Sequence, residues 1–580
     1  MSSSNPPSSF GRDVWSLIGP FWKSEQKKAA WILLISVLAL TLALVYVEVL
    51  FNDWYNRFYT ALQHKAKDDF FKEMGWFMVL ATVWIIMTVY ATYLAQLLQI
   101  RWRTWLTTSV TGDWLSNRNY YRLQLKDQQN DNPDQRIAED LKIFVSTTLN
   151  LSLGLLSAVV TFVTFVTLLW NQSGPLAFSI GEVHISIPGY MVWVALIYAG
   201  VGSWLILKVG RPLVTINNDQ QRYEADYRFS LARFRENTEG VALYKGEKHE
   251  LEQFDLRFSS VVKNWLLMMK RQKLLGWWQY GYGQLAVPFP YLVAAPRYFS
   301  GAFELGGLMQ IANTFGQVKG SLSWFVNAFD SLATWKATSN RIVGFRRALA
   351  EAQRESATAQ GPQVLAGMDK DVVFQNLDIR LPEGSPIVAA PAFSIGPAER
   401  LLIKGPTGCG KSTLFRSIAG IWPFGQGQIK VPENFDVLFV PQRPYFPLGS
   451  LRIALSYPSS AGTFPDEVLR TALADVGLPH LAQRLDEERS WGMQLSGGEQ
   501  QRIAIARAIL QKPRWLFLDE ATASLDDASQ DSMYQILTER LSNTTIVSIG
   551  HRANLARFHS RVVELRPGEA GASRLVLSTS

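Results

Sequence analysis

The chain has 580 residues, 48% of them hydrophobic, and carries a formal net charge of +8 at pH 7. This length predicts several domains, and the single cysteine, Cys409, excludes an intrachain disulfide. The basic residues do not form an arginine-rich groove with interleaved aromatic residues, so the charge gives no indication of a nucleic-acid partner.

The first 345 residues contain six long apolar segments. They follow Met1–Arg12, a polar tail that lacks the basic region and apolar core of a cleavable signal. Each segment approaches the ~20 residues that a helix needs to cross the hydrocarbon core of a bilayer. The sequence therefore predicts an α-helical membrane domain, residues 1–345, with six spans: Trp31–Phe51, Met74–Leu98, Leu149–Trp170, Pro188–Leu207, Gly276–Ala295 and Leu305–Leu332.

Polar side chains interrupt some of these spans. In lipid such groups must face a hydrogen-bonding partner or a water-filled path. Two interpretations stay open: the amides line a hydrophilic cavity, or they join helices by hydrogen bonds. Glu48, near the end of the first span, is also compatible with the membrane interface. The amides around the last two spans are Gln284, Gln310, Asn313 and Gln317.

The loops differ in charge, and this predicts the orientation in the membrane. Three lysines lie within residues 23–28, before the first span, and the stretch Lys208–Lys273 is rich in Arg and Lys. The loop Asn171–Ile187 carries a single charge, Glu182. Basic loops stay on the cytosolic side and contact anionic lipid headgroups. Both termini are therefore expected in the cytosol.

The second half of the chain has a different pattern. Residues 346–369 lack apolar periodicity and predict a linker. In residues 370–580, short apolar runs alternate with helical segments, which is typical of a mostly parallel sheet with helices on both faces. The predicted strands are Val372–Phe374, Leu401–Ile403, Val437–Val440, Trp515–Leu518 and Thr545–Ile549.

A phosphate-binding loop follows the second of these strands. Its glycines allow backbone N–H groups to turn toward phosphates, and the helix that follows adds the partial positive charge of its N-terminus. Lys411 is expected to reach the terminal phosphates, and the Ser412 hydroxyl is a ligand for Mg²⁺. Cys409 is a small filler in the loop. The nucleotide-binding residues are Gly405, Pro406, Thr407, Gly408, Cys409, Gly410, Lys411, Ser412 and Thr413.

Three further groups follow predicted strands. Gln442 comes after Val437–Val440 and is able to reach a metal ion and water. Asp519 and Glu520 end the apolar strand Trp515–Leu518, where Asp519 would hold Mg²⁺ and Glu520 would polarise the attacking water. His551 comes after the last strand and is placed to contact a γ-phosphate. Each residue type alone is more often structural, and the phosphate loop is what favours the catalytic interpretation.

A second anion site is indicated by Leu495-Ser-Gly-Gly-Glu-Gln500. Its serine and glycines, Ser496, Gly497 and Gly498, start a helix and expose backbone N–H groups. One nucleotide does not need two such sites from the same lobe.

This motif, together with the acidic strand, Ser524-Leu-Asp526 and His551, makes residues 370–555 resemble the ATP-binding cassette (ABC) ATPases. The resemblance implies an α/β P-loop domain that binds ATP in a head-to-tail dimer. Ser496 and Gly498 of one copy would close over the ATP held by Lys411 of the other, with Asp526 nearby. One set of spans and one cassette imply a half-transporter, an exporter-type membrane fold that works as a homodimer.

One position departs from that pattern. Most cassettes stack an aromatic residue on adenine about two dozen residues before the phosphate loop, where this sequence has Leu381. Leucine offers apolar contact without a π-face. Weak discrimination between nucleotide bases is therefore expected.

Other segments narrow the resemblance. Residues 419–427 and 443–452 are similar to cassettes of subfamily D, the peroxisomal type, and their bacterial relatives. Three membrane segments are similar to the SbmA/BacA family: Asn132–Ile137, Phe234–Glu239 and Ala295–Phe299 with Leu305–Gln310. That family implies a bacterial inner-membrane protein that takes up peptide antibiotics and other hydrophilic cargo, and its cassette-fused relatives are associated with cobalamin import.

The sequence thus predicts an ATP-driven transporter of hydrophilic solutes, with a lipid or acyl-CoA translocator of the subfamily D type as the alternative. The six spans exclude a soluble regulatory ATPase, and the intact ATPase motifs argue against a proton-driven carrier. The cytosolic stretches Arg101–Lys142 and Arg211–Lys273 are expected to continue the spans as helices and to end in short turns that rest on the cassette.

Overall fold

The structure is a computed structural model that describes residues 10–126, 132–180, 183–357, 361–568 and 571–577. The chain forms two compact units. The first contains Met1–Thr111 and Asn132–Arg346, and the second contains Gly112–Asp131 and Arg347–Ser580. The segment Gly112–Asp131 therefore belongs to the same unit as the predicted cassette.

Over the residues that the structure describes, the regular structure of the first unit is helical apart from one short hairpin. A π-helical turn, Arg136–Asp140, joins two of its helices. The hairpin pairs β1 (Leu176–Ile180) with β2 (Val183–Ile187) in antiparallel register. The helices that begin within residues 10–346 are α1 (Phe10–Ile18), α2 (Lys27–Gln63), α3 (Lys67–Leu115), α4 (Asn119–Lys126), α5 (Pro133–Gln135), α6 (Leu141–Ser173), α7 (Tyr190–Glu236), α8 (Thr238–Tyr244), α9 (Glu247–Leu285), α10 (Phe289–Phe299), α11 (Leu305–Asn327) and α12 (Phe329–Ala357). Of these, α4 belongs to the second unit.

Four helical stretches of the described residues are long and apolar enough to cross a membrane. They contain the first three predicted spans and all but the first two residues of the fourth, and are Lys27–Gln63, Lys67–Leu125, Pro133–Ser173 and Tyr190–Glu236. The second and fourth predicted spans also continue as helix, as expected: α3 and α7 extend well beyond the apolar segments that they contain.

The last two predicted spans need correction, because neither is a single uninterrupted helix. The predicted span Gly276–Ala295 crosses a break between α9 and α10 at residues 286–288. Pro288 and Pro290 lie at this break, and a proline has no N–H to continue the helical hydrogen bonds. The predicted span Leu305–Leu332 passes the end of α11 at Asn327.

The first unit, called the membrane unit below, has an apolar core formed by α2, α6, α7, α10 and α11. Phe165 and Leu169 of α6 pack with Met191 and Ala195 of α7 and with Phe315 of α11. All five side chains are almost fully buried. This packing determines which faces of these helices meet, including the faces that carry the polar residues described below.

The second unit contains a ten-stranded mixed sheet in the order β3-β7-β4-β5-β14-β13-β6-β12-β11-β8. The run β13-β6-β12-β11-β8 is parallel throughout. The predicted parallel sheet with helices on its faces is thus confirmed. The strands are β3 (Gln363–Gly367), β4 (Val372–Arg380), β5 (Pro386–Ile395), β6 (Arg400–Lys404), β7 (Gly425–Pro432), β8 (Val437–Val440), β9 (Gly449–Ser450), β10 (Glu488–Arg489), β11 (Trp515–Asp519), β12 (Thr545–Ile549), β13 (Arg561–Pro567) and β14 (Ser573–Leu577).

Both faces of the parallel strands are covered. In β6, Leu402 packs in one apolar cluster while Leu401 and Ile403 pack in the other, as the twofold alternation of side chains along a strand requires. This explains why these strands are continuous apolar runs in the sequence. The helices of this unit are α13 (Lys411–Ile418), α14 (Leu451–Ser456), α15 (Asp466–Asp475), α16 (Trp491–Gln494), α17 (Gly497–Gln511) and α18 (Asp527–Arg540).

The segment predicted as a linker, residues 346–369, is mostly regular structure where it is described. Helix α12 extends to Ala357, and β3 covers Gln363–Gly367. The Ala, Glu, Gln and Arg residues that obscured any apolar period are strong helix formers, which accounts for the helix. Strand β3 pairs with β7 at the edge of the sheet.

Candidate functional site

The phosphate loop lies between β6 and α13, as its sequence predicts. Gly405 and Gly410 have backbone φ angles of +152° and +96°. A Cβ at Gly410 would lie 2.5 Å from Val388, and one at Gly405 would lie 2.7 Å from the carbonyl oxygen of Leu565. Both positions therefore require glycine for steric reasons as well as for conformation.

The side chains of the loop divide into exposed and buried groups. Pro406, Thr407 and Gly408 form its exposed tip. Cys409 is buried in the apolar cluster beneath the loop, as a small filler would be. Thr413 is also buried. The Lys411 ammonium donates hydrogen bonds to the carbonyl oxygens of Gly405 and Pro406, at 2.8 and 2.9 Å, so it lies within the loop.

Asp519 ends β11 beside the phosphate loop. Together with Ser412 it lines a cavity of about 450 Å³ in the second unit. Burial raises the pKa of the Asp519 carboxyl, and a hydrogen bond from Ser412 and the charges of Arg416 and Lys411 act in the opposite direction. The burial therefore disfavours the charged form of this carboxyl unless a positive charge lies beside it.

Glu520 contacts both of the other predicted catalytic residues, Gln442 and His551. Its Oε2 accepts a hydrogen bond from Nε2 of Gln442 at 3.0 Å, and its Oε1 lies 3.1 Å from Nε2 of His551. The backbone of Glu520 has a φ of +50°, which is uncommon for a residue other than glycine.

The topology of the sheet explains this meeting. Gln442, Glu520 and His551 follow β8, β11 and β12, and these strands are adjacent and parallel. The carboxyl ends of parallel strands lie at one edge of a sheet, where ligands of such folds bind. The three side chains are thus gathered from positions 78 and 31 residues apart along the chain.

The second predicted anion site is the N-terminus of α17. Ser496 caps the helix: its Oγ accepts from the N–H of Glu499, and the Glu499 carboxylate accepts from the N–H of Ser496. The backbone hydrogen bond from Ser496 holds the pKa of Glu499 below its usual value. Ser496 and Gly497 are exposed.

Within one copy these residues are not joined to the phosphate loop. In the described parts of the chain, Ser496, Gly497 and Gly498 make no hydrogen bond to residues 405–413. The neighbours that a Cβ at Gly497 or Gly498 would meet belong to Ser524 and Leu525. Asp526 follows as the exposed N-cap residue of α18.

Gln501 is a residue that the sequence interpretation missed. It is almost fully buried, donates to the carbonyl of Gln442 at 3.3 Å and accepts from the N–H of Ser524 at 2.8 Å. It thus links the segment that carries Gln442 to the segment that precedes Asp526. The only signal in the sequence was its position directly after the LSGGEQ motif.

Leu381 lies in the turn between β4 and β5. Its N–H donates to the carbonyl of Ser385 at 2.8 Å, and its side chain is partly buried against the apolar cluster beneath the phosphate loop. Its contact with a nucleotide base stays a prediction.

The amides of the membrane unit do not behave as one set. Gln310 is 8% exposed and hydrogen-bonds to two residues of α2, Asp53 at 3.1 Å and Asn56 at 2.8 Å. Asn313 donates to Asn52 at 3.0 Å. Of the two interpretations left open by the sequence, the helix-joining one therefore holds for Gln310 and the cavity one does not.

Asn313 and Gln317 do line a cavity of about 450 Å³ in the first unit. Its walls also include the side chains of Tyr55, Tyr59 and Tyr291. Gln284 is exposed and is not among the residues that line this cavity, so the cavity interpretation does not hold for it. Gly283, the preceding residue of α9, does line the cavity, so Gln284 lies on a neighbouring face of the same helix, about 100° around its axis.

Comparison with known proteins decides the family. The profile of a family described as ABC transporter transmembrane region 2 matches residues 18–299, and that of the family described as ABC transporter matches residues 389–523. The inner membrane ABC transporter ATP-binding protein YddA of Escherichia coli is 34% identical over 540 residues, which are 92% of this chain and 94% of that protein. The chain belongs to the ABC transporter family.

This ABC transporter has its membrane and ATP-binding domains fused in one chain, and it is homologous to subfamily D. ABC transporter D family member 2, chloroplastic, of Arabidopsis thaliana is 31% identical over 96% of this chain and 86% of its own. The lysosomal cobalamin transporter ABCD4 of Homo sapiens is 25% identical over 96% of this chain and 94% of its own.

The fold of the transporter matches a solved structure, that of a bacterial Atm1-family ABC exporter with ATP bound. The TM-score is 0.68 at 17% identity, with 93% of this chain and 94% of that chain covered. The predicted exporter-type helical domain followed by a P-loop cassette is thus confirmed. The protein is a multi-pass membrane protein that binds and hydrolyses ATP to drive transport.

Proposed function

We propose that this ABC transporter moves hydrophilic solutes, namely peptides, peptide antibiotics or cobalamin-like compounds, inward across the bacterial inner membrane as a homodimer. The cavity lined by Asn313, Gln317 and three tyrosines carries the proposal, because polar side chains at membrane depth are costly unless they serve a path or a partner. The relationship to a protein named as a cobalamin transporter supports it.

The roles at the edge of the sheet are part of the proposal. Glu520 orients and polarises the water that attacks the γ-phosphate, and its two hydrogen bonds hold the carboxylate in place. His551 contacts the γ-phosphate, and Gln442 senses the metal and the water. Since all three come from neighbouring strand ends, a nucleotide in the phosphate loop would meet them together.

The residues around the phosphate loop also fit Mg²⁺. Ser412, Gln442 and Asp519 offer hydroxyl, amide and carboxylate oxygens, which are the donors that this ion accepts. Among the described residues no group of three or more His, Cys, Asp or Glu is arranged to hold a metal. Mg²⁺ takes few protein ligands and completes its coordination shell with phosphates and water. Bound there, it would neutralise charge on the transferred phosphoryl group.

The exposed signature motif, Ser496–Gly498, supports the proposed homodimer. Ser496, Gly497 and Gly498 present a capped helix N-terminus to solvent in one copy, while Lys411 lies in a different loop. A second copy arranged head to tail would place each helix N-terminus over the other copy's nucleotide. Leu381 would contact the base with apolar surface alone.

The segment 112–126 is proposed as a coupling element. It lies in the cassette unit, where Arg118 donates to the carbonyl oxygen of Ala419 at the C-terminal end of α13. Helix α13 begins with Lys411, so a shift of the phosphate loop would be felt at this contact. The predicted turn resting on the cassette matches this arrangement.

The proposed organisation keeps the boundaries read from the sequence: a membrane domain of residues 1–345 of the SbmA/BacA type, a connecting segment 346–369 and a cassette of residues 370–580. The basic loops place both termini and the cassette in the cytosol. The relative named as an inner membrane protein of E. coli supports the same membrane.

A lipid or acyl-CoA translocator is the second candidate, because one observation favours it. Helices α7 and α9 enclose an apolar groove of about 570 Å³. Its walls include Ile197, Trp277, Trp278 and Leu285, which suit an acyl chain.

Uptake into vesicles separates the two candidates. Purified protein is reconstituted, and accumulation of a labelled peptide, labelled cobalamin and labelled palmitoyl-CoA is measured with ATP, without ATP and with the variant Glu520→Gln. ATP-dependent movement of peptide or cobalamin is expected. Movement of palmitoyl-CoA alone would replace the proposal with the second candidate.

A further inference from the structure

We propose that the membrane cavity contains a binding site for an anionic group of the transported solute, with the ammonium of Lys319 as its counter-ion. The inference rests on the proposed function and adds a charge preference to it. The ligand class is a hydrophilic solute that carries a carboxylate or a phosphate.

Lys319 provides the charge of the cavity. Among the described residues that line it, Lys319 is the only one with an ionised side chain. The others that are polar are neutral hydrogen-bonding groups: the phenols of Tyr55, Tyr59 and Tyr291 and the amides of Asn313 and Gln317. Phenol and amide N–H and O–H groups donate to the oxygens of an anion. The lining therefore matches a negative ligand and repels a positive one.

The depth of Lys319 follows from the contacts between α2 and α11. Gln310 pairs with Asp53, and Asn313, further along α11, pairs with Asn52. The two helices are thus antiparallel. Lys319 lies beyond Asn313 in the same direction, opposite the apolar part of α2, Trp31–Phe51. Lys319 lies eight residues before Asn327 at the end of α11, about 12 Å along the helix axis, which is more than its side chain can span.

In the part of the chain that the structure describes, no carboxylate forms an ion pair with this ammonium. Among the described residues the contact of Lys319 is with the ring of Tyr282, whose centroid lies 5.5 Å from Nζ. Tyr282 is itself held by Tyr198, which donates to its carbonyl at 2.7 Å. An aromatic face attracts the ammonium without removing its net charge.

In the described residues, none of Glu48, Asp53 and Glu73 forms an ion pair with Lys319. Glu48 of α2 is not among the walls of the cavity, and the other two have partners of their own. Asp53 accepts from Gln310, and Glu73 of α3 pairs with Arg57 at 3.0 Å. A half-buried cation in a cavity with hydrogen-bond donors and no carboxylate among its described walls is a site prepared for an anion.

The test uses three fluorescent hexapeptides of equal length: one rich in glutamate, one with phosphoserines and one rich in lysine. ATP-dependent uptake is measured in phosphatidylcholine vesicles and again with phosphatidylglycerol added. The variants are Lys319→Met, Lys319→Gln and Lys319→Glu. The matched control is Lys208→Met, because Lys208 also lies over an aromatic ring, that of Trp204 at 5.0 Å, but is not part of this cavity.

In the wild-type protein the glutamate or the phosphoserine peptide should move about tenfold faster than the lysine peptide, a factor that one modest charge interaction supplies. Which of the two anionic peptides is faster identifies carboxylate or phosphate as the preferred group. Lys319→Met and Lys319→Gln should remove the preference, Lys319→Glu should reverse it, and Lys208→Met should retain it. Basal ATPase activity and the size-exclusion profile verify assembly of each variant.

Equal uptake of the three peptides by the wild-type protein, or a preference that survives all Lys319 variants, overturns the inference and leaves the proposed function standing. Absence of ATP-dependent uptake of any hydrophilic probe contradicts the proposed function itself, and the inference falls with it. If phosphatidylglycerol alone changes the basal ATPase rate through Lys319 while peptide charge has no effect, the anion is a lipid headgroup and the inference is wrong.

Discussion

The carboxyl edge of the cassette sheet and the membrane cavity both gather polar side chains, but they do so by different means. At the sheet edge, Gln442, Glu520 and His551 follow adjacent strands, and the backbone alone brings them together. In the membrane unit, Gln310 and Gln317 share a helix, yet one joins α2 and the other lines the cavity. The order of the strands determines which residues lie near one another at the sheet edge. The contacts of a residue on a helix depend on how the neighbouring helix packs against it.

The largest effect should come from the sheet edge. Glu520→Gln keeps the shape of the side chain and removes the charge that polarises water, so ATP turnover should fall by on the order of 10² or more while ATP binding persists. Steady-state ATPase assays and nucleotide-binding titrations on the purified protein measure both. A rate near that of the wild-type protein would show that Glu520 is not catalytic. The proposal that this sheet edge is the site of hydrolysis would then be wrong.

A mixing experiment tests whether the edge is completed by a second copy. Lys411→Ala chains and Ser496→Arg chains, combined, form heterodimers with one doubly damaged site and one intact site. ATPase activity of the mixture should exceed that of either variant alone by several-fold, unless the two sites are strictly coupled. Size measurement in detergent is the control, and a stable monomer with full ATPase activity would contradict the shared site.

In the membrane unit, Gln310→Leu and Gln317→Leu should separate stability from transport. Gln310→Leu leaves Asp53 and Asn56 without their partner and should destabilise the unit by about 1 kcal/mol, the usual worth of a hydrogen bond between membrane helices. Gln317→Leu should keep the melting temperature and reduce cargo-stimulated ATPase.

Thermal unfolding and stimulated ATPase assays on both variants make the comparison. The reverse result is a Gln310→Leu variant that is as stable as the wild-type protein but does not respond to cargo. It would favour the interpretation that Gln310 faces the cavity.

The smallest effect is expected at the base of the nucleotide. Because Leu381 supplies no aromatic face, the protein should distinguish ATP from GTP only weakly, and Leu381→Tyr should strengthen ATP binding by at most ~1 kcal/mol. Competition between the two nucleotides measures both quantities. A strong preference of the wild-type protein for ATP would mean that another residue reads adenine.

The sequence determined the cassette almost completely, because phosphate binding uses contiguous backbone. The residues that cradle phosphates must be neighbours in the chain, and the strand before them and the helix after them are equally local. The same holds for the first four spans, whose apolar length is a property of one segment.

Only the tertiary structure decided the features that depend on distant neighbours. Asn56 and Gln310, separated by 254 residues, pair across two helices, and nothing near either residue in the sequence announces it. The same is true of Gln501, which bridges two loops, and of Lys319, whose cavity is closed by tyrosines from α2 and α10. The apolar pattern of the sequence identifies a span, and a polar residue within a span needs a partner because lipid offers none. The packing of the other helices decides whether that partner is protein or solute.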